Sequence, residues 1–301
     1  AEFTSDLGLT EPRQRGTLAG PDVPYEQFYD DPELKDKPLA TVRYSGYTGS
    51  GYQFLTNVQE QALNGSATAD WKLTEPLKGQ PERPWEKIGL RAHVLGEDET
   101  LIACDGPVQK YKHLPGTVKF LIRRRRGADL ASRFVTVFEP YQGDPWIGST
   151  TALAVSPDDG RSSAVRVDLV DGSTHYLFHC LDPAQAHSIE GGLTVTAQAA
   201  CLVLNPEGEP ERAMMVNGRS LAFGAFQLTG RGELDSRIVS IDYGSGEILL
   251  SDPVLDEELP SGIPIPVAPD DFADCVTVRR VVDATRFSIG DEDLLAAGGP
   301  V

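Results

Sequence analysis

The chain is short of several things that would classify it quickly. It has two methionines in 301 residues, and few windows place apolar residues at the three-to-four spacing of a helix. That excludes a helical bundle and any alternation of strands with long helices. Positive charge is scarce too: 27 Lys and Arg face 45 Asp and Glu, for a net charge of −18. A surface of that sign repels nucleic acid and anionic lipid, so neither is expected as a partner. No apolar run reaches the ~20 residues that span a bilayer as a helix, and no secretory signal pattern is present. The four cysteines, Cys104, Cys180, Cys201 and Cys275, have no C-x-x-C spacing, which argues against a zinc or thiol-redox motif. Cys180 and Cys201 flank one turn region and could be bridged. Of five histidines, His175 and His179 alone stand four apart. On a strand they would be roughly 13 Å apart at ~3.3 Å per residue, too far to share an ion. The carboxylates of 252–274 lack an EF-hand pattern, and no Ser-His-Asp motif, phosphate loop or dinucleotide fingerprint occurs. No metal and no cofactor are expected.

What is present is turn chemistry between short β-type runs. Glycine (30) and proline (22) are plentiful and not periodic. Runs rich in Val, Ile, Thr and aromatics alternate with Asp-Gly, Asn-Gly and Gly-x-Gly punctuation. The densest stretch is Lys119–Ile147. Its two apolar runs, Phe120–Ile122 and Phe134–Phe138, flank a polar turn at Gly127–Asp129, which predicts a hairpin. The second run should lie near the middle of a sheet and stop at Pro140, which cannot donate to a ladder. Alternation sends Arg123 and Arg125 to one face and Arg124 and Arg126 to the other. An inward arginine must be paired, and charge runs commonly pair with surplus carboxylates.

Further hairpins are predicted over Ile88–Leu95 with Glu99–Cys104, Ser163–Val170 with Thr174–Cys180, Ala213–Val216 with Ser220–Phe226, Arg237–Tyr243 with Glu247–Leu250, and Val276–Asp283 with Arg286–Ile289. Leu39–Tyr44 and Tyr52–Gln59 read as strands. Short strands at this spacing argue for an all-β, layered antiparallel β-sandwich followed by a smaller β-sandwich module. The expected division is an irregular leader over 1–38, a large β domain over 39–219 and a smaller one over 220–301.

An ordered set of segments then carries a resemblance. They are Gly51–Gln59, Asp70-Trp71, the Leu90–Leu95 strand, Asp105-Gly106-Pro107, Arg124–Arg126, and above all Ser132–Tyr141, SRFVTVFEPY. The His175–Cys180 and Ile238–Tyr243 strands extend it. Together they resemble the β-sheet portion of heparinase II/III-like polysaccharide lyases over roughly residues 40–290. The resemblance implies a supersandwich-like β region that in the full enzyme follows an N-terminal α/α toroid. It implies β-elimination of a uronic-acid-containing polysaccharide, and a secreted or periplasmic setting. This chain has no helical run that could build a toroid, so no catalytic residue is assigned within it. Its expected partners are an acidic polysaccharide and a toroid domain of the same parent protein.

The candidate substrate-binding residues are His113, Arg124, Arg126, Tyr141 and Trp146. His113 sits in a basic loop with Lys110, Tyr111 and Lys112. Arginine offers a bidentate fork for a carboxylate or sulfate. A surface Tyr or Trp can stack on a sugar ring. The plainer alternatives are a solvated loop, carboxylate-paired arginines and aromatics capping a sheet edge. A stand-alone carbohydrate-binding or cell-surface structural module is the alternative function. A complete lyase with a β-only active site is a third.

Overall fold

The protein is all-β, built from antiparallel sheets. The structure, a computed structural model, describes residues 2–6, 8–25, 51–74, 87–107, 117–255, 263–267 and 274–290. The expected Leu39–Tyr44 strand lies outside them. The chain forms two compact units, 1–230 and 231–301.

In the first unit, the first sheet contains β1 (Glu2–Ser5), β2 (Thr56–Lys72), β3 (Ile88–Pro107), β4 (Thr117–Arg124) and β5 (Val135–Gln142). The start of the chain is thus not irregular throughout: Glu2–Ser5 pairs with the end of β2, and the amides of Thr10, Arg13 and Leu18 donate to the carbonyls of Glu60, Val58 and Leu55. A single turn of 3₁₀ helix, Gly51–Phe54, precedes β2, so the predicted strand from Tyr52 begins only at Thr56.

The predicted Ile88–Leu95/Glu99–Cys104 hairpin is one strand instead. Glu97 and Asp98 together oppose Asn64 on β2, where the register shifts. The extra residue makes a β-bulge, with Asp98 at φ 47°. Side-chain parity flips there, so Arg91, His93 and Leu95 share a face with Ile102 and Cys104. The predicted β4–β5 hairpin does not form either. Both strands pair with β3, end to end: β4 with Thr100–Pro107 and β5 with Ile88–Leu95. β5 is therefore an edge strand rather than a central one, and Phe138 on it is 62% exposed.

The other two sheets of this unit are a sandwich. One orders β13 (Pro210–Val216), β12 (Ala199–Leu204), β9 (Thr174–His179), β8 (Ser163–Leu169) and β6 (Ile147–Leu153). The other orders β15 (Phe226–Thr229), β14 (Ser220–Phe223), β11 (Leu193–Thr196), β10 (His187–Ile189) and β7 (Val155–Ser156). The predicted β8–β9 hairpin is found around Asp171-Gly172-Ser173. Its turn is closed by Asp171, which accepts from the Ser173 amide and hydroxyl. The Ala213–Val216/Ser220–Phe226 pair is not found, because the chain crosses from one sheet to the other at Asn217-Gly218. β14 and β15, over 220–229, complete the sandwich.

Tyr176, Phe178, Leu193, Val195, Leu202 and Leu221 fill the space between the two sheets. Each such side chain contributes about 1.5–3 kcal/mol relative to exposure. The outer face of β8 and β9 meets the first sheet through Val165, Val167 and Leu177 against Leu95, Val135 and Val137. The unit is thus three sheets deep. Cys180 and Cys201 are free thiols, not a bridge, and Cys180 Sγ lies 3.1 Å from the Ala197 carbonyl.

In the second unit, β16 (Ile238–Asp242), β17 (Glu247–Leu250), β20 (Arg280–Asp283) and β21 (Arg286–Ser288) form one sheet, and β18 (Ile263–Val267) pairs with β19 (Asp274–Val278). The β16–β17 hairpin matches the sequence expectation. The run from Val276 is split, so that only its second half pairs with β21. Ile248, Val278, Phe287 and Ile289 make a separate small core.

Candidate functional site

Two short sequences, Arg91-Ala92-His93 and Glu139-Pro140-Tyr141, alternate with period two, so each puts its first and third residues on one strand face. The register joins them: Arg91 lies opposite both Asp70 on β2 and Glu139 on β5. A row of polar side chains therefore crosses the first sheet on its inner side. Arg91 Nε and Nη2 donate to the Asp70 carboxylate at 3.0–3.1 Å. The Tyr141 hydroxyl donates to Asp70 Oδ1 at 3.1 Å, with the Arg91 guanidinium over its ring. Burial, reinforced by the bond to Asp70, pushes the Tyr141 phenol above its ordinary pKa.

Beside this row, His93 Nε2 lies 2.9 Å from Glu139 Oε2. The two side chains are only 5% and 6% exposed. The other Glu139 oxygen accepts the amides of Trp146 and Ile147. Ile147 opens β6, so this carboxylate fastens the first sheet to the next layer. A histidine–carboxylate pair can do acid–base work only within reach of a substrate proton. Here both groups are buried.

The arginine run resolves residue by residue. Arg123 sits where β4 ends and β5 begins along β3, a gap in the ladder. It forks onto buried Glu99 through Nε and Nη2 at 2.8–2.9 Å. It also donates to the Leu95 and Val135 carbonyls and the Thr136 hydroxyl. Phe134 covers its guanidinium, 5.0 Å from ring centre to Cζ. Arg124 points the other way and pairs with Glu60 at 3.1 Å, which Arg13 also holds. Arg126 is exposed and has no hydrogen-bond or ion-pair partner among the described residues.

The predicted substrate-binding residues do not converge. Arg124 faces Thr100 and Tyr141 faces Gly89 on the same strand. Eleven residues of β3 separate those levels, roughly 36 Å at ~3.3 Å per residue. Tyr141 is not a stacking platform: at 8% exposure its ring is packed into the sheet and its hydroxyl is spent on Asp70. Arg124 is already bonded to Glu60, which it shares with Arg13. Trp146 is 58% exposed and keeps its face open to solvent, as Arg126 keeps its charge. His113 lies outside the described residues. The buried row and the Arg123 node were missed among the candidate sites. The alternation in Arg-x-His and Glu-x-Tyr was the available signal. Among the described residues, no group of three His, Cys, Asp or Glu could hold a metal.

No family model, curated protein or solved structure matches the chain.

Proposed function

We propose that the chain is the β-sheet portion of a heparinase II/III-like polysaccharide lyase, contributing a wall of the substrate cleft without carrying out the elimination itself. The carrying observation is the state of His93 and Glu139. The fold brings these two acid–base groups together but buries them, and uses the second Glu139 oxygen to hold two layers of sheet. β-Elimination needs a base at an α-proton and a group that offsets the adjacent carboxylate. That work then belongs to another domain, in keeping with the resemblance of SRFVTVFEPY and its flanking segments. Layered antiparallel sheet supports the same reading.

Trp146 and Arg126 are the substrate-facing groups in this proposal, acting at separate points along an extended polymer. The exposure of Trp146 favours a second reading equally well, a free-standing carbohydrate-binding module. Calorimetric titration with a uronic-acid polysaccharide tests what the two share. Trp146→Ala should weaken binding roughly fivefold to tenfold, the value of one aromatic stacking contact. Unchanged affinity in both Trp146→Ala and Arg126→Ala would remove these residues from any binding role.

A further inference from the structure

The β-bulge in the first sheet does more than change side-chain parity. It also borders a cleft of about 310 Å³, lined beyond Leu95 and Val135 by residues of β6 and β8. Gly65, at φ 121°, lies on its lip, where an added Cβ would meet nothing within 4 Å. The volume falls at the small end of the ~300–1,000 Å³ usual for small-molecule sites.

Two kinds of surface line it. Leu95, Val135 and Ala152 give an apolar wall, and Ser66, Thr150 and Ser163, on the same side, give a ring of hydroxyls. Between them stand Glu97 and Arg133, paired at 2.6 Å. Arg133 is further fixed by the Ser162 carbonyl and lies 3.7 Å from Asp158. One guanidinium thus faces two carboxylates, so the local charge is negative. A uronate or sulfate would be repelled here, whereas a neutral polyol gains donors and acceptors already held in place.

We infer that this cleft binds a neutral sugar unit, its apolar face on the aliphatic wall and its hydroxyls on the Glu97–Arg133 pair and the Ser/Thr ring. The inference rests on the carbohydrate reading above and deepens it. Trp146 and Arg126 meet the polymer elsewhere, and the cleft selects the non-uronate residues between. Among the described residues β6 pairs only with β8.

The test is titration of the full chain with neutral oligosaccharides of glucose, galactose, mannose and xylose, and with a uronic-acid polysaccharide. The expected result is saturable millimolar binding of at least one neutral oligosaccharide. Glu97→Gln should weaken it at least tenfold. Ala152→Trp, at an exposed strand position on the cleft side of β6, should abolish it by filling the cleft without unfolding the chain. Both variants should keep acidic-polymer binding that Trp146→Ala weakens. If neutral binding is absent, or survives Ala152→Trp, while the acidic polymer still binds through Trp146, the cleft inference fails alone. If no glycan binds any variant, the carbohydrate reading fails with it.

Discussion

Arg123 is the most heavily committed side chain in the described structure. Its guanidinium serves a carboxylate, two carbonyls, a hydroxyl and an aromatic ring. Arg123→Met should cost about 3–5 kcal/mol, the usual price of stranding one member of a buried ion pair, because Glu99 is left enclosed without its partner. Arg123→Lys should recover only part of this, since an ammonium cannot make the planar fork. Urea denaturation checks both, and a loss under 1 kcal/mol in the Met variant would contradict the assignment. Arg124→Met, by contrast, should cost under about 1 kcal/mol, as Glu60 keeps Arg13 and stays partly solvated. The sequence showed that these neighbours face opposite ways. It could not show which had a buried carboxylate waiting, because Glu99 lies across a ladder whose register depends on the bulge. Cys104 follows the same logic of enclosure. Burial raises its thiol to about 11, so a thiol reagent at neutral pH should modify Cys104 only at the rate of unfolding.

At the level of elements, the least legible feature was the junction on β3. Gly96-Glu97-Asp98 reads as a tight turn, yet it is a bulge inside one 20-residue strand. The composition suits both outcomes, and the decision lies with β2, which continues past the bulge and pairs on each side of it. The same error made the Phe134–Phe138 run look central: its β-branched and aromatic content reports sheet preference, not the number of neighbouring strands. Hairpins with strong local turns, such as Asp171-Gly172-Ser173, were readable because the turn itself fixes the register. Asp98 offers a direct test of the bulge. Asp98→Gly should leave stability unchanged or slightly improved. Asp98→Val should cost about 1–2 kcal/mol, because a β-branched residue resists positive φ. Equal stability of the two variants would mean that the strand does not carry this bulge.

For the whole molecule, the two units have separate apolar cores. Residues 1–230 expressed alone should fold cooperatively with an unchanged antiparallel-sheet circular dichroism signature, and failure to do so would contradict the division. Acid should unfold this unit progressively. Burial opposes ionisation of Asp105 and Asp168, but hydrogen bonds from Lys119 and Asn57, and from Thr174, Arg166 and Ser149, outweigh it and hold both carboxyls below the ordinary range. A depressed carboxyl stabilises above its unfolded value, near 3.9, and that stability disappears as pH falls through the lower folded value. The urea midpoint should therefore drop as the pH is taken below about 5. Asp168→Asn should flatten the slope, and an unchanged slope would remove Asp168 from the account. Fold class was legible because every part of the sequence argued for sheet. The site was less so, because pairing between distant strands determines which charged groups are spent on structure.

We propose that proton abstraction lies outside this chain. The most direct test incubates the purified 301-residue protein with uronic-acid polysaccharides and follows the ultraviolet absorbance of the unsaturated uronate product. No product is expected at any pH where the chain stays folded. Steady product formation that survives His93→Gln and Glu139→Gln would contradict the proposal most completely, and formation that these substitutions abolish would show that the buried pair opens to substrate.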